Sequence, residues 1–176
     1  MDATPTSGTS GSTPVEDPRS VYAIDFETYY NSKDKYSLRG MPPYAYCHDR
    51  RFDAYLVSIY GADYQYVGNP KYADWSKLHG KTLVAHNAAF DGMVLKTLFE
   101  LGIVKPFEHR FEDTADMAAY LLAPRNLAGA SAAFLGIHAD KQIRAEMDGI
   151  KYEDLDADTN ARMQAYALKD SELCWK

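Results

Sequence analysis

"VYAIDFETYY", residues 21–30, opens as an apolar run and then sets two acids, Asp25 and Glu27, two residues apart. Side chains alternate along a strand, so residues 21–26 read as a β-strand, with Asp25 and Glu27 on the same face as Val21 and Ala23. At ~3.3 Å per residue the two carboxylates stand roughly 6–7 Å apart along the chain. An Asp-x-Glu triplet is a weak signal by itself. A strand end that simply meets solvent gives the same pattern, and the chain has a second such triplet at residues 170–172.

Two further acids lie on otherwise apolar helix faces. "NAAFDGMVLKTLFELG" (87–102) reads as a helix with Asn87 as N-cap and Gly102 as its stop. Asp91 shares a face with Val94, Leu95 and Leu98 at i+3, i+4 and i+7. A first-turn aspartate that favours the positive helix end is the plainer account of it, but does not explain its place on the buried stripe. In a last helix over 156–176, Asp170 shares its face with Met163, Tyr166, Ala167 and Cys174. A carboxylate there is either a boundary residue or must be neutralised, because an unpaired buried charge is costly. Lys169 lies on another face and is a poor partner. Four acids from three elements, all directed inward, call for cations. An all-oxygen ligand set selects hard ions such as Mg2+ or Mn2+, and two of them can clamp a phosphodiester.

Around these elements the chain reads as one domain. Residues 1–20, rich in Ser, Thr, Gly and Pro, are expected to be a disordered leader ahead of a domain over 21–176. Residues 28–53 form a tyrosine-rich insertion with a short helix at 43–48. "AYLVSIYG" (54–61) and "YQYVG" (64–68) read as a hairpin, "KTLVAH" (81–86) as a buried strand and "RFED" (110–113) as a fifth strand. Helices are expected at 114–123, 126–136 and 138–148. Trp75 is expected in the core, and the acidic run 152–158 as an N-cap cluster. The class is α/β, a mixed sheet of about five strands flanked by helices.

Composition narrows the function. Hydrophobic residues make up 46% and charged residues 25%, and the net charge is −6. That balance argues against a DNA-coating protein, which would be basic, but not against an enzyme whose metal ions meet the phosphates. No apolar run approaches the length of a membrane span, and no membrane partner is expected. Cys47 and Cys174 make no disulfide framework, so a reducing cytoplasm is expected. His48, His79, His86, His109 and His138 have no zinc-ligand spacing with them.

"IDFET" (24–28), "HNAAFD" (86–91) and "YALKD" (166–170) resemble the three motifs of the DEDD exonuclease superfamily, whose fold is ribonuclease H-like. The Tyr-x-x-x-Asp form of the third resembles the tyrosine branch, which includes the 3′–5′ proofreading domain of family A DNA polymerases. With "KYSLRG" and "DRRF" downstream, "IDFETYY" looks most like the bacteriophage and prophage members. The resemblance covers residues 21–176. It implies Asp25, Glu27, Asp91 and Asp170 as ligands of two Mg2+ or Mn2+ ions, with Tyr166 and Glu27 orienting the attacking water. It implies Thr28, Asn87 and Phe90 as contacts to the terminal nucleotide, and Tyr29, Tyr30 and Tyr36 are candidates for base stacking. The implied activity is hydrolysis of single-stranded DNA from its 3′ end to nucleoside 5′-monophosphates, as proofreading for a polymerase domain outside this chain, in a bacterial or phage-infected cytoplasm. An RNase D-like exoribonuclease and a weakly catalytic nucleic-acid binding or docking module are the alternatives.

Overall fold

The computed structural model describes residues 17–138 and 142–176. Most of the expected leader, residues 1–16, lies outside them, as do residues 139–141 of the helix expected over 138–148. A 3-10 turn at Pro18–Ser20 leads into β1 (Val21–Thr28). There follow α1 (Pro43–Cys47), the hairpin of β2 (Ala54–Tyr60) and β3 (Gln65–Gly68), β4 (Lys81–Ala85) and α2 (Ala88–Glu100). Then come β5 (His109–Asp113), α3 (Thr114–Tyr120), α4 (Leu127–Leu135), α5 (Gln142–Glu146) and α6 (Ala157–Trp175).

The five strands form one mixed sheet in the order β3-β2-β1-β4-β5. β2 runs antiparallel to both β1 and β3, whereas β4 runs parallel to β1 and β5. The expected alternation along β1 therefore decides what each side of the sheet does. Tyr22, Ile24 and Phe26 enter the main core with Val57, Ile59 and Leu83, against Val94, Leu95 and Leu98 of α2. Each of these buried aliphatic side chains contributes ~1.5–3 kcal/mol. Asp25 lies on the other side. Its neighbour across the ladder is Ser58, and cross-strand neighbours share a face. The Ser58 hydroxyl donates to the carbonyl of Ala167 on α6 at 2.8 Å and meets the Ser171 hydroxyl at 2.5 Å. Asp25 thus looks toward α6.

Two irregularities open the carboxyl end of β1. Its parallel pairing with β4 ends at Ala23↔Val84, so residues 25–28 run past the end of that ladder. Its register with β2 shifts between Glu27 and Thr28. Such a bulge twists a strand and re-aims its side chains. The result is a crevice at the ends of the parallel strands, the usual place for a site in an open α/β sheet.

A second, smaller core holds the far wall in place. Tyr55 and Leu56 of β2 pack with Ile143 and Met147 around α5 and with Met163 and Ala167 of α6. The expected acidic cap is present: Asp156 accepts from the Thr159 N–H at 2.8 Å at the head of α6. Trp75 is half-buried and stacks between Phe26 and Phe107. Tyr36, a candidate for base stacking, is instead fully buried between Tyr29 and Tyr46, so its ring is spent on the core. Met163→Ala should cost about 2–5 kcal/mol by leaving a cavity, and Ser58→Ala about 1–2 kcal/mol by stripping a buried hydrogen-bond pair. Denaturant midpoints check both; losses under about 0.5 kcal/mol for the two would contradict a tightly clamped α6.

Candidate active site

The four acids reach the crevice from three elements. Asp25, half-buried, and Glu27, 6% exposed, come from β1. Asp91, 3% exposed, comes from the first turn of α2 on the opposite side of the sheet. Its Oδ1 accepts the backbone N–H of Phe26 at 3.1 Å. That N–H faces the side from which β4 has departed, so Asp91 caps an otherwise open strand edge. Asp170, half-buried, stands one turn beyond Tyr166 on α6, and the Tyr166 hydroxyl is hydrogen-bonded to its carboxylate.

The electrostatics show that the four acids share one space. Burial, then the charge of Asp170, pushes the Asp25 carboxyl up to about 7, with Arg144 pulling it back. Burial, then Asp25, drives Glu27 well above the usual carboxylate range, and Asp170 and Asp91 add to it. Burial, then Asp25, does the same to Asp91, against the opposing pull of the Phe26 N–H. Like charges in a desolvated crevice cannot all ionise cheaply. Tyr166 is raised by burial, then by Asp170 and Glu27, and stays a phenol.

The donor set is all carboxylate, which suits a hard divalent cation. Among the described residues, no three His, Cys, Asp or Glu side chains converge closely enough to hold an ion as they stand. One Asp91 oxygen is engaged by Phe26, and Asp170 is engaged by Tyr166.

The remaining expected site residues lie at the end of β1 and the head of α2. The Thr28 hydroxyl is 2.8 Å from the Tyr46 hydroxyl, and half-buried Phe90 packs at a tilt on the Tyr46 ring. Asn87 is exposed at the head of α2, but its side chain does not cap the helix as expected. It sits in the left-handed region, φ 95° and ψ 54°, which asparagine tolerates. The cap comes from Asp113 at the end of β5, whose carboxylate accepts from Asn87 and Ala88 N–H at 3.3 and 3.0 Å and also caps α3. Asp113 and Arg144 were not evident from the sequence. Asp113 reaches α2 only because β5 lies beside β4. Arg144 is exposed on α5 between the anchors Ile143 and Met147. Desolvation lowers its pKa, but the charges of Glu27, Tyr166 and Asp25 outweigh that and raise it.

No protein-family model and no curated protein matches the chain. Among solved structures it is similar to the catalytic core of RRP6 from Trypanosoma brucei, with a TM-score of 0.57 and 17% identity. The match covers 89% of this chain and 39% of that one, so this chain spans well under half of the other's length. The likeness is one of fold: a five-stranded mixed sheet flanked by helices, ribonuclease H-like as the sequence leads one to expect.

The raised carboxyls make the metal-free protein pH-sensitive. Asp25 holds its proton more tightly folded than unfolded, so between the usual carboxylate pKa of ~4 and about 7 the native state binds more protons and stability falls as pH rises. In EDTA the melting temperature should be lower at pH 8 than at pH 5. Asp25→Asn should stabilise the protein at pH 8 by about 1–3 kcal/mol, raising the melting temperature by ~2–4 °C per kcal/mol. A melting curve independent of pH over this range, or destabilised by the substitution, would contradict the shared crevice.

Proposed function

We propose that the protein is a metal-dependent 3′–5′ exonuclease of the DEDD type, tyrosine branch, that hydrolyses single-stranded nucleic acid to nucleoside 5′-monophosphates. The observation that carries this reading is that Asp25, Glu27, Asp91 and Asp170, from β1, α2 and α6, lie within reach of one another's charge, with the carboxyls of Asp25, Glu27 and Asp91 raised and Tyr166 beside Asp170. The fold shared with the catalytic core of RRP6 supports it.

Asp25, Glu27, Asp91 and Asp170 would hold the Mg2+ or Mn2+ ions. When bound, the cations neutralise the crevice and supply Lewis-acid stabilisation at the scissile phosphodiester. Glu27 and Tyr166 position the attacking water. Tyr166 acts as a hydrogen-bond donor, because burial and Asp170 hold its proton in place. Asn87 stands at the mouth, and Thr28 and Phe90 frame the terminal nucleotide. Aromatic side chains beside the site suit an unpaired 3′ end, whose bases are free to stack.

The motif resemblance favours DNA as substrate and proofreading as role, with a polymerase domain outside this chain as partner and a bacterial or phage-infected cytoplasm as setting. The fold likeness fits an RNase D-like exoribonuclease at least as well, and the four acids read only the backbone common to DNA and RNA.

Matched 3′-labelled DNA and RNA strands, incubated with Mg2+ or Mn2+, should lose nucleoside monophosphates stepwise from the 3′ end. Faster loss from RNA would favour the RNase D-like reading, and intact strands of both kinds would overturn the exonuclease. Tyr166→Phe removes one hydrogen bond to a charged group, about 1.5–3 kcal/mol, so kcat should fall on the order of 10–100-fold with little change in KM. Steady-state kinetics that show only a raised KM would contradict the positioning role.

A further inference from the structure

A groove of about 540 Å³ opens beside Thr28, walled by residues of the 28–39 segment on one side and by α5 and its following turn on the other. Small-ligand sites occupy ~300–1,000 Å³, so the groove has room for a nucleotide-sized group. Its walls are tied together in three places. The Tyr30 hydroxyl donates to the Arg144 carbonyl at 2.6 Å, the Ser32 N–H donates to Asp148 at 2.8 Å, and the Gly149 N–H donates to the Tyr30 carbonyl at 2.9 Å.

The charge of this groove runs against that of the chain. The protein carries a net −6, yet the groove presents Arg39 and Arg144 against the single acid Asp148. Asp148 is already engaged by Ser32. Both arginines are exposed, and among the described residues neither guanidinium has an ion-pair partner. Four other arginines are ion-paired: Arg19 with Asp17, Arg51 with Asp49, Arg125 with Asp116 and Arg162 with Glu146. Ile143 and Met147 pack α5 into the second core, which leaves Arg144 in the groove, within the field of Glu27 and Asp25. Thr28, in the groove's wall, directly follows Glu27 on β1, so the groove lies beside the acids. Its hydroxyls, from Thr28, Ser32 and Ser37, add neutral donors.

Two free guanidinium forks beside hydroxyls suit an anionic oxygen cluster, and guanidinium is the usual recogniser of phosphate. The crevice takes the scissile phosphate, so the anion that reaches the adjoining groove is the next one along the strand. We propose that this groove binds the phosphodiester immediately upstream of the scissile bond, with Arg39 and Arg144 as its cationic contacts. The proposal rests on the exonuclease reading for its polarity along the strand, and it gives an acidic protein a local hold on a polyanion.

The test compares wild type, Arg39→Ala and Arg144→Ala on a fluorescent single strand whose second internucleotide linkage from the 3′ end is either a phosphodiester or a neutral methylphosphonate. Binding is read by anisotropy in EDTA and hydrolysis in Mg2+. Each substitution should weaken binding and lower kcat/KM about tenfold on the charged strand. Each should also flatten the log–log salt dependence by ~0.7. The wild type should lose a similar factor on the neutral linkage, and the two losses should not multiply. Losses that multiply, or a wild type indifferent to the neutral linkage, would overturn the groove. Binding that depends on arginine and linkage, in a protein that hydrolyses neither strand, would remove the exonuclease and leave the groove standing.

Discussion

Repulsion among carboxylates that the fold forces into one crevice is the constraint on which the rest of the structure turns. Asp25, Glu27 and Asp91 all hold their protons far more tightly than a solvated carboxyl, through burial first and the charge of a neighbouring acid second, Asp170 for Asp25 and Asp25 for the other two. A fold under no other demand would have apolar side chains there. The costs are localised to the carboxyl end of β1, and the surrounding framework is correspondingly firm. α2 brings a continuous buried stripe, and α6 is held by buried serine hydroxyls that bind its backbone directly to β2.

Topology explains why the acids meet here. β1 is the central strand, flanked by an antiparallel and a parallel neighbour. The parallel neighbour stops pairing just before Asp25, and the antiparallel ladder slips just after Glu27. Between those two points the strand offers side chains to α6 on one face and a backbone N–H to Asp91 from the other. Thr28, at the point where the ladder slips, also lines the groove with Arg39 and Arg144. Acids and arginines thus lie next to each other around the end of β1.

Much of this was legible along the chain because it is periodic. The alternation in "VYAIDFETYY" placed Asp25 and Glu27 together, and the i+3, i+4, i+7 spacing from Asp91 to Leu98 marked an acid on a buried stripe. Asp170 with Tyr166 followed by the same rule. Capping at Asp156 and the strand positions needed only local chemistry. What was not legible depends on lateral neighbours. Asn87 looks like an N-cap, but the carboxylate that satisfies the helix is Asp113, supplied because β5 pairs with β4 at Ala85↔Asp113. Tyr36 looks like a surface tyrosine in a polar insertion, yet it stacks under Tyr46 and carries Arg51 over its ring at 4.4 Å. Arg144 lies 117 residues from Glu27 in sequence, and nothing local marks it as facing the acids.

The most direct test of the account is a titration of the purified protein with Mn2+, followed by the loss of the free-ion resonance at neutral pH. The account predicts saturable binding that is lost or greatly weakened in Asp25→Asn and competed by Mg2+. Binding that is absent, or unchanged by that substitution, would contradict the claim that these carboxylates share one cation-demanding crevice.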